Sequence, residues 1–168
     1  MDRIANDQTA SAPASREGKY LTFALAQEEY GIGILKVKEI IGIMAITTVP
    51  RTPAYVKGVI NLRGKVIPVV DLRLKFGMEV AGYTERTCII VVEVSSGQQK
   101  ILMGSIVDSV SEVLNIKAGE IESTPNFGSS LDTDYILGLA KTNNGVKILL
   151  DIDKVLSGGE FAAVSVAA

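Results

Sequence analysis

The sequence predicts an all-β protein with a few short helices, folded as two small barrels packed on one another. Three observations predict it. The 168-residue chain is 47% hydrophobic with only 5% aromatic residues and no Trp, so Val, Ile and Leu must fill its core, and β-branched residues favour strands. Sixteen glycines punctuate a dense run of strand signals with turns. The order of elements also repeats. FALA-QEEYGIGILKVKEII and VVEV-SSGQQKILMGSIVDSVSEVL both read strand, turn, strand, short helix. KVIPVVDLRLKF resembles VKILLDIDKVL, with Asp71 and Asp151 at matching places. Two copies of one unit with about five short strands each hide their edges best by closing into barrels.

Residues 1–18 are small, polar and aperiodic, and read as a disordered tail. Tyr20–Ala26 is the first predicted strand; QEE turns the chain and Tyr30–Ile34 returns. In GILKVKEII, Ile34, Val37, Ile40 and Ile41 stand at helical spacing, which predicts a short amphipathic helix ending near Gly42. Ile43–Val49 is a further strand. TPAYVKG reads as one helical turn, with Thr52 as N-cap, Pro53 at the first position and Gly58 closing the end. A hairpin follows: Val59–Leu62, a turn at Arg63-Gly64, then Lys65–Leu72. Gly64 supplies the positive φ of a tight turn. Pro68 lacks an N–H and belongs at an edge or bulge.

Thr87–Val94, the SSGQQ turn and Lys100–Ile106 make a second hairpin. DSVSEVL reads as a helical turn, with Ser109 and Glu112 at capping-box spacing. Ile136–Lys141, a turn at Asn143-Asn144-Gly145 and Val146–Ile152 make a third hairpin. DKVL closes with a short helix, and residues 157–168 form a second tail. The barrels should leave a groove where they meet, and such junctions are common binding places.

Composition narrows the function. With 17 Lys+Arg against 19 Asp+Glu the net charge is −2, not that of a general nucleic-acid or anionic-membrane binder. The single cysteine, Cys88, cannot form an internal disulfide and fits a reducing compartment. No apolar run reaches the ~20 residues of a membrane span, and the N-terminal stretch lacks a signal-peptide core. These features point to a cytoplasmic protein. No histidine is present, which removes Ser-His-Asp and Cys-His catalysis and the common zinc sites.

The short motifs favour structure over chemistry. GIGILK is not GxGxxG and lacks a βαβ setting. Cys88, in the apolar TCIIVVEV, has no histidine to activate it. Asp132 with Asp134, and Asp151 with Asp153, do not continue into a calcium loop and suit turn and helix capping. Asp71, after five apolar residues, is read as satisfying buried backbone donors. Lys57, Arg63, Lys65, Arg73 and Lys75 form a basic cluster, the basis of an alternative reading as a small β-barrel that binds nucleic acid. Only Phe76 stands near it, whereas a stacking platform uses several aromatics. Arg63 differs because its turn presents it outward, where a planar multi-donor group suits docking.

EEYGIGILKVKEIIG, the block PxxPxYVKGVINLRGxVIPVVDLR and the late TDYILGL…ILLDIDKVL closely resemble the CheW family of chemotaxis coupling proteins, over about Lys19–Leu156. The resemblance implies two five-stranded SH3-like barrels and a non-enzymatic adaptor without cofactor or metal. The adaptor would be monomeric alone and recruited from the cytoplasm to receptor arrays at the inner membrane. It implies two partners, the cytoplasmic tips of methyl-accepting chemotaxis receptors and the regulatory domain of the CheA histidine kinase. By motif match the receptor surface would include Val37, Glu39, Ile40, Arg63, Cys88 and Val113. Phe127 of TPNF would meet the kinase. A Val is common where this chain has Cys88; both are small and apolar.

Overall fold

The computed structural model describes residues 16–123, 133–143 and 145–156. Among the described residues, eleven strands form two sheets. β1 (Gly18–Leu25) and β2 (Glu28–Gly33) make a hairpin. A 3-10 turn, Ile34–Lys36, carries the chain to β3 (Val37–Gly42). β4 (Val56–Leu62) and β5 (Lys65–Asp71) form the next hairpin and end in the one-turn helix α1 (Leu72–Lys75). β6 (Cys88–Ser96) and β7 (Gln99–Val107) follow, then β8 (Ser109–Ile116), the two-residue β9 (Ile121–Glu122), β10 (Ile136–Thr142), β11 (Gly145–Leu150) and α2 (Ile152–Val155).

The five-stranded sheet runs β3-β6-β7-β5-β4 and the six-stranded sheet β8-β1-β2-β11-β10-β9. The two orders match strand for strand, with one parallel pair in each, β5 with β7 and β11 with β2. Each sheet also closes in the same way. Beyond β3 the chain swings over to the opposite edge, where Thr47 and Val59 of β4 exchange two backbone hydrogen bonds, 2.8 and 2.9 Å. Beyond β8 the chain crosses likewise, and β9 pairs with β10. The repeat therefore folds as two barrels, and β9 is the counterpart of the single Thr47 bridge.

The third strand of each copy is exchanged. β3 leaves the β1-β2 hairpin and joins β6; β8 leaves the β6-β7 hairpin and joins β1. Both crossings are latched by ion pairs of opposite polarity. Lys36 Nζ donates to Asp153 Oδ2 at 2.7 Å, and Asp153 Oδ1 accepts from the Ser95 amide. Arg73 donates twice to Asp108, at 2.8 and 2.7 Å, and Asp108 Oδ2 accepts from the Ala26 amide. The Arg73 hydrogen bonds hold the Asp108 carboxyl below its ordinary range, outweighing the effect of burial.

Three apolar clusters fill the fold. Ile60, Ile67, Val69, Ile89, Val91 and Ile106 fill the five-stranded barrel. Tyr20, Ile116, Ile121, Ala140 and Leu149 fill the other. The largest lies between the sheets, where Leu21, Phe23 and Leu25 face Ile90, Val92 and Val94. A row of rings, Phe23, Tyr30, Phe76 and Tyr135, runs through it at centroid spacings of 5.9, 6.0 and 6.0 Å.

Asp71 and Asp151 behave as one position. Each caps its helix by accepting a backbone amide, from Leu74 and Lys154 respectively. The amide of Asp71 donates to Tyr55 O and that of Asp151 to Tyr135 O, both at 2.8 Å.

Four sequence expectations are corrected. GILKVKEII is not a helix: after the 3-10 turn it is strand β3. DSVSEVL is also a strand, β8. Each carries one extra residue against its partner, Val37 to Glu39 opposite Val92 and Val91, and Val110 to Val113 opposite Phe23 and Leu21. A bulge puts residues three apart on one face, which imitates helical spacing. TPAYVKG is a plain turn leading into β4, and Thr52 donates to Val49 O instead of capping a helix. Within Ile43–Val49, only the Thr47 bridge is β structure. Pro68 stands just before the part of β5 that pairs with β7, which begins at Val69, so its missing N–H interrupts no bond there.

Candidate functional site

The predicted receptor residues fall into three groups. Val37, Ile40 and Cys88 share one face of the β3-β6 pair. Register places Val37 opposite Val92, Ile40 opposite Ile90 and Gly42 opposite Cys88, and cross-strand partners share a face. Ile90 and Val92 are fully buried between the sheets. Val37 and Cys88 pack partly against that cluster, while Ile40, on the free edge, is 43% exposed. The Cys88 thiol donates to Arg86 O at 3.1 Å.

Glu39 and Arg63 lie on the other side of β3 and join each other. Arg63 Nη1 donates to Glu39 Oε2 at 3.1 Å and Nη2 donates to Oε1, a two-pronged pair. Glu39 belongs to one edge strand and Arg63 to the hairpin tip of the other, so the pair spans the barrel seam. The Arg63 hydrogen bonds hold the Glu39 carboxyl below the usual range. Arg63 adopts φ 52° and Gly64 φ 89°, so both central turn residues are left-handed, as a tight hairpin needs. The Gly64 amide is held by Asn61 Oδ1 at 2.8 Å. Arg63 is thus presented outward on a rigid turn, as the sequence predicts, but its guanidinium already holds a carboxylate.

Val113 is on the other sheet, in edge strand β8 opposite Leu21, and 49% exposed. The exchanged strands align VKEIIG with VSEVLN, so Val113 is the counterpart of Ile40 and Glu112 that of Glu39. The counterpart of Arg63 is Asn143, which has no charge to pair with Glu112. A hollow of about 470 Å3 lies along that seam, lined by Glu112, Lys141 and Asn143 among others. Phe127 lies outside the described residues.

The basic cluster is divided among other tasks. Arg63 holds Glu39, Arg73 holds Asp108, and Lys75 Nζ sits 4.4 Å from the centre of the Tyr55 ring. This removes the continuous basic face that the nucleic-acid alternative needs. Among the aspartates, Asp71 and Asp151 cap helices and Asp153 binds Lys36 and Ser95, while Asp132 lies outside the described residues. No helix among the described residues is long and apolar enough to cross a membrane.

Sequence reasoning missed the buried Lys147. It is 6% exposed and donates to Glu29 Oε1 at 2.7 Å, while Ser111 donates to Glu29 Oε2. The Lys147 hydrogen bond pulls the Glu29 carboxyl below its ordinary range. The equivalence of KVIPVVD and VKILLD could have flagged it, because Lys147 stands where the first copy has Ile67.

Comparison with known proteins agrees with this architecture. Residues 19–160 match the family model of the CheW-like domain. The chain is 44% identical over 146 residues to the chemotaxis protein CheW of Klebsiella aerogenes, covering 87% of this chain and 86% of that protein. It is 35% identical over 143 residues to the chemotaxis protein CheW of Rhizobium meliloti, covering 85% and 90%. The crystal structure of the scaffolding protein TtCheW from Thermoanaerobacter tengcongensis superposes with a TM-score of 0.74 at 38% identity, over 86% of this chain and 95% of that one. With two exchanged barrels, a matching family model and relatives along most of its length, the chain belongs to the CheW-like family, and its function is that of a chemotaxis scaffold.

Proposed function

We propose that this protein is a non-catalytic adaptor that couples the cytoplasmic tips of methyl-accepting chemotaxis receptors to the regulatory domain of the CheA kinase. It would act in the cytoplasm, recruited to receptor arrays. One observation carries the receptor half of the reading: an apolar row, Val37, Ile40 and Cys88, emerges from the inter-sheet core at the free edge of β3. A receptor tip is a helical hairpin, and an apolar ridge on a helix seats against such a row. The Glu39–Arg63 pair next to it offers a polar rim that fixes register. Val113, at the equivalent edge of the other sheet, is the proposed contact on that side. Phe127 is the proposed kinase contact on motif grounds.

The bulge in β3 gives the site its shape. It turns Val37 and Ile40 to one side and Glu39 to the other, so apolar docking and charge pairing use separate faces of one strand. Separate surfaces for two partners let one small protein bridge them, and repeated weak contacts then sum across an array.

The test is co-purification with a receptor cytoplasmic fragment and with a CheA regulatory domain, each alone and both together. Retention of both in one complex is expected. Retention of neither, with the fold intact, overturns the reading.

A further inference from the structure

The chain divides into halves at the stretch between α1 and β6. Residues 79–86 are exposed apart from partly buried Ala81. The hydrogen bonds of this stretch run to α1 and its cap or stay within the stretch. Strands β1 to β5 precede it and β6 to β11 follow it. Neither half builds a barrel alone. The five-stranded sheet takes β3, β4 and β5 from the first half and β6 and β7 from the second. The six-stranded sheet takes β1 and β2 from the first half and its other strands from the second. Each half thus holds a hairpin for one barrel and the remaining strands of the other. Strand order alone does not exclude a pair of like halves.

Charge does exclude it. Among the described residues, three ion pairs at 2.7 Å join the halves: Lys36–Asp153, Arg73–Asp108 and Lys147–Glu29. Arg73 and Asp153 hold the same helix position, two residues after the capping aspartate, and each reaches a chain crossing of the other half. In a pair of first halves, Arg73 would meet Lys36. In a pair of second halves, Asp153 would meet Asp108. The barrel end repeats the pattern. Register sets Lys147 beside Glu29 and Ile67 beside Leu102. Two first halves would set Glu29 against Ile67, and two second halves would set Lys147 against Leu102. Lys147 is buried, and a buried charge without its partner is strongly unfavourable. Every like pairing therefore meets repulsion at a crossing and an unpaired charge at a barrel end, which is how a specific interface rejects a wrong partner.

We infer that these three pairs are a matching code by which each half accepts only the unlike half, whether from its own chain or from a second copy. The stretch between the halves spans about 35 Å when extended, so two chains can exchange halves reciprocally and remake every bond between them. In the unaltered protein the tethered half wins, because the connection keeps its effective concentration high. A change in the code shifts that choice toward a second copy. The inference concerns how the fold is closed and does not rest on the proposed adaptor role.

The test uses two full-length variants, Arg73→Asp and Asp108→Arg. The first sets two carboxylates at one crossing, and the second sets two guanidinium groups there. Exchange between copies of one variant repairs nothing. Exchange between the two variants sets the new acid of one against the new cation of the other, and unaltered Arg73 against unaltered Asp108, so both crossings are restored. The variants are unfolded in urea and refolded separately and together, and native mass spectrometry counts the dimers. Mixed dimers should exceed the dimers of either variant alone by at least about tenfold. The pair Lys36→Asp and Asp153→Lys should behave in the same way at the other crossing. A variant that does not fold alone should be rescued in the mixture. Mixed dimers no more abundant than single-variant dimers, or no rescue of an unfolded variant, would overturn the proposal.

Discussion

The two barrels share one strand order, one pair of bulged edge strands and one pair of helix-capping aspartates, yet they differ in how their seams and ends are filled. In the five-stranded barrel Arg63 and Glu39 tie the seam, and Ile67 and Leu102 stand where the other barrel has Lys147 and Glu29. In the six-stranded barrel Asn143 faces Glu112 across the seam, and Lys147 with Glu29 plugs the end. The comparison separates what the fold requires from what each surface is free to vary. The caps, bulges and closing strands occur in both copies. The seam pair Arg63–Glu39 and the end pair Lys147–Glu29 each occur in only one copy.

The closing strands give the largest expected effect. Gly58 has φ 142°, and a Cβ there would lie 2.0 Å from Thr47 O. Gly138, its counterpart, would place a Cβ 2.8 Å from an Ile121 methyl and 3.0 Å from Glu122 O. Gly58→Ala should cost about 3 kcal/mol or more, combining backbone strain with a clash against main chain. Gly138→Ala should cost about 1–2 kcal/mol, because the methyl can yield. Urea denaturation checks the order; a costlier Gly138 would break the equivalence.

Next comes the plug. Lys147→Ala leaves Glu29 without its cation and should cost about 1–2 kcal/mol, less than for a fully buried pair because Glu29 is one-third exposed and regains water. Lys147→Ile with Glu29→Leu copies the other barrel and should be close to neutral. A double variant less stable than Lys147→Ala would show that the plug is specific to its barrel.

A smaller effect concerns pH at the Arg73–Asp108 crossing. The folded-state pKa of Asp108 is depressed, so its contribution is present above the ordinary carboxylate range and is lost as pH falls through the folded value. Asp108→Asn should therefore flatten the loss of stability on acidification and lower stability at neutral pH. Acid titrations followed by thermal melts measure this. An unchanged acid profile would mean that Arg73 does not hold the crossing in solution.

For Arg63 the expected change is in binding rather than folding. Arg63→Ala should weaken receptor-fragment binding by about tenfold or more, while thermal melts change little because the Glu39 pair is exposed. Wild-type binding would remove Arg63 from the proposed surface.

Much of this was legible in the sequence. Three hairpins stand close to where turn chemistry places them, and the likeness of KVIPVVD to VKILLD located two equivalent caps. The exposed edge strands were misread for a definite reason. Val37 and Ile40, like Val110 and Val113, are three apart, and a bulge restores to a strand the spacing that belongs to a helix. Arg63 was legible as an outward-facing residue on a tight turn, whereas Glu39 entered only through the family resemblance; their pairing was not legible, because it exists only once β3 and the β4-β5 tip meet across a seam. The latches Lys36–Asp153 and Arg73–Asp108 were hidden for the same reason: strand exchange brings together residues that no local pattern connects.

The central claim is that the apolar row on β3 docks a receptor tip. Ile40→Glu places a charge in that row at a residue already 43% exposed, and Val66→Glu does the same at a 56% exposed site on β5. Calorimetric titration of both variants with one receptor cytoplasmic fragment tests the claim directly. Ile40→Glu should lose at least about tenfold in affinity and Val66→Glu should bind like the unaltered protein. Undiminished binding by a folded Ile40→Glu variant would contradict it.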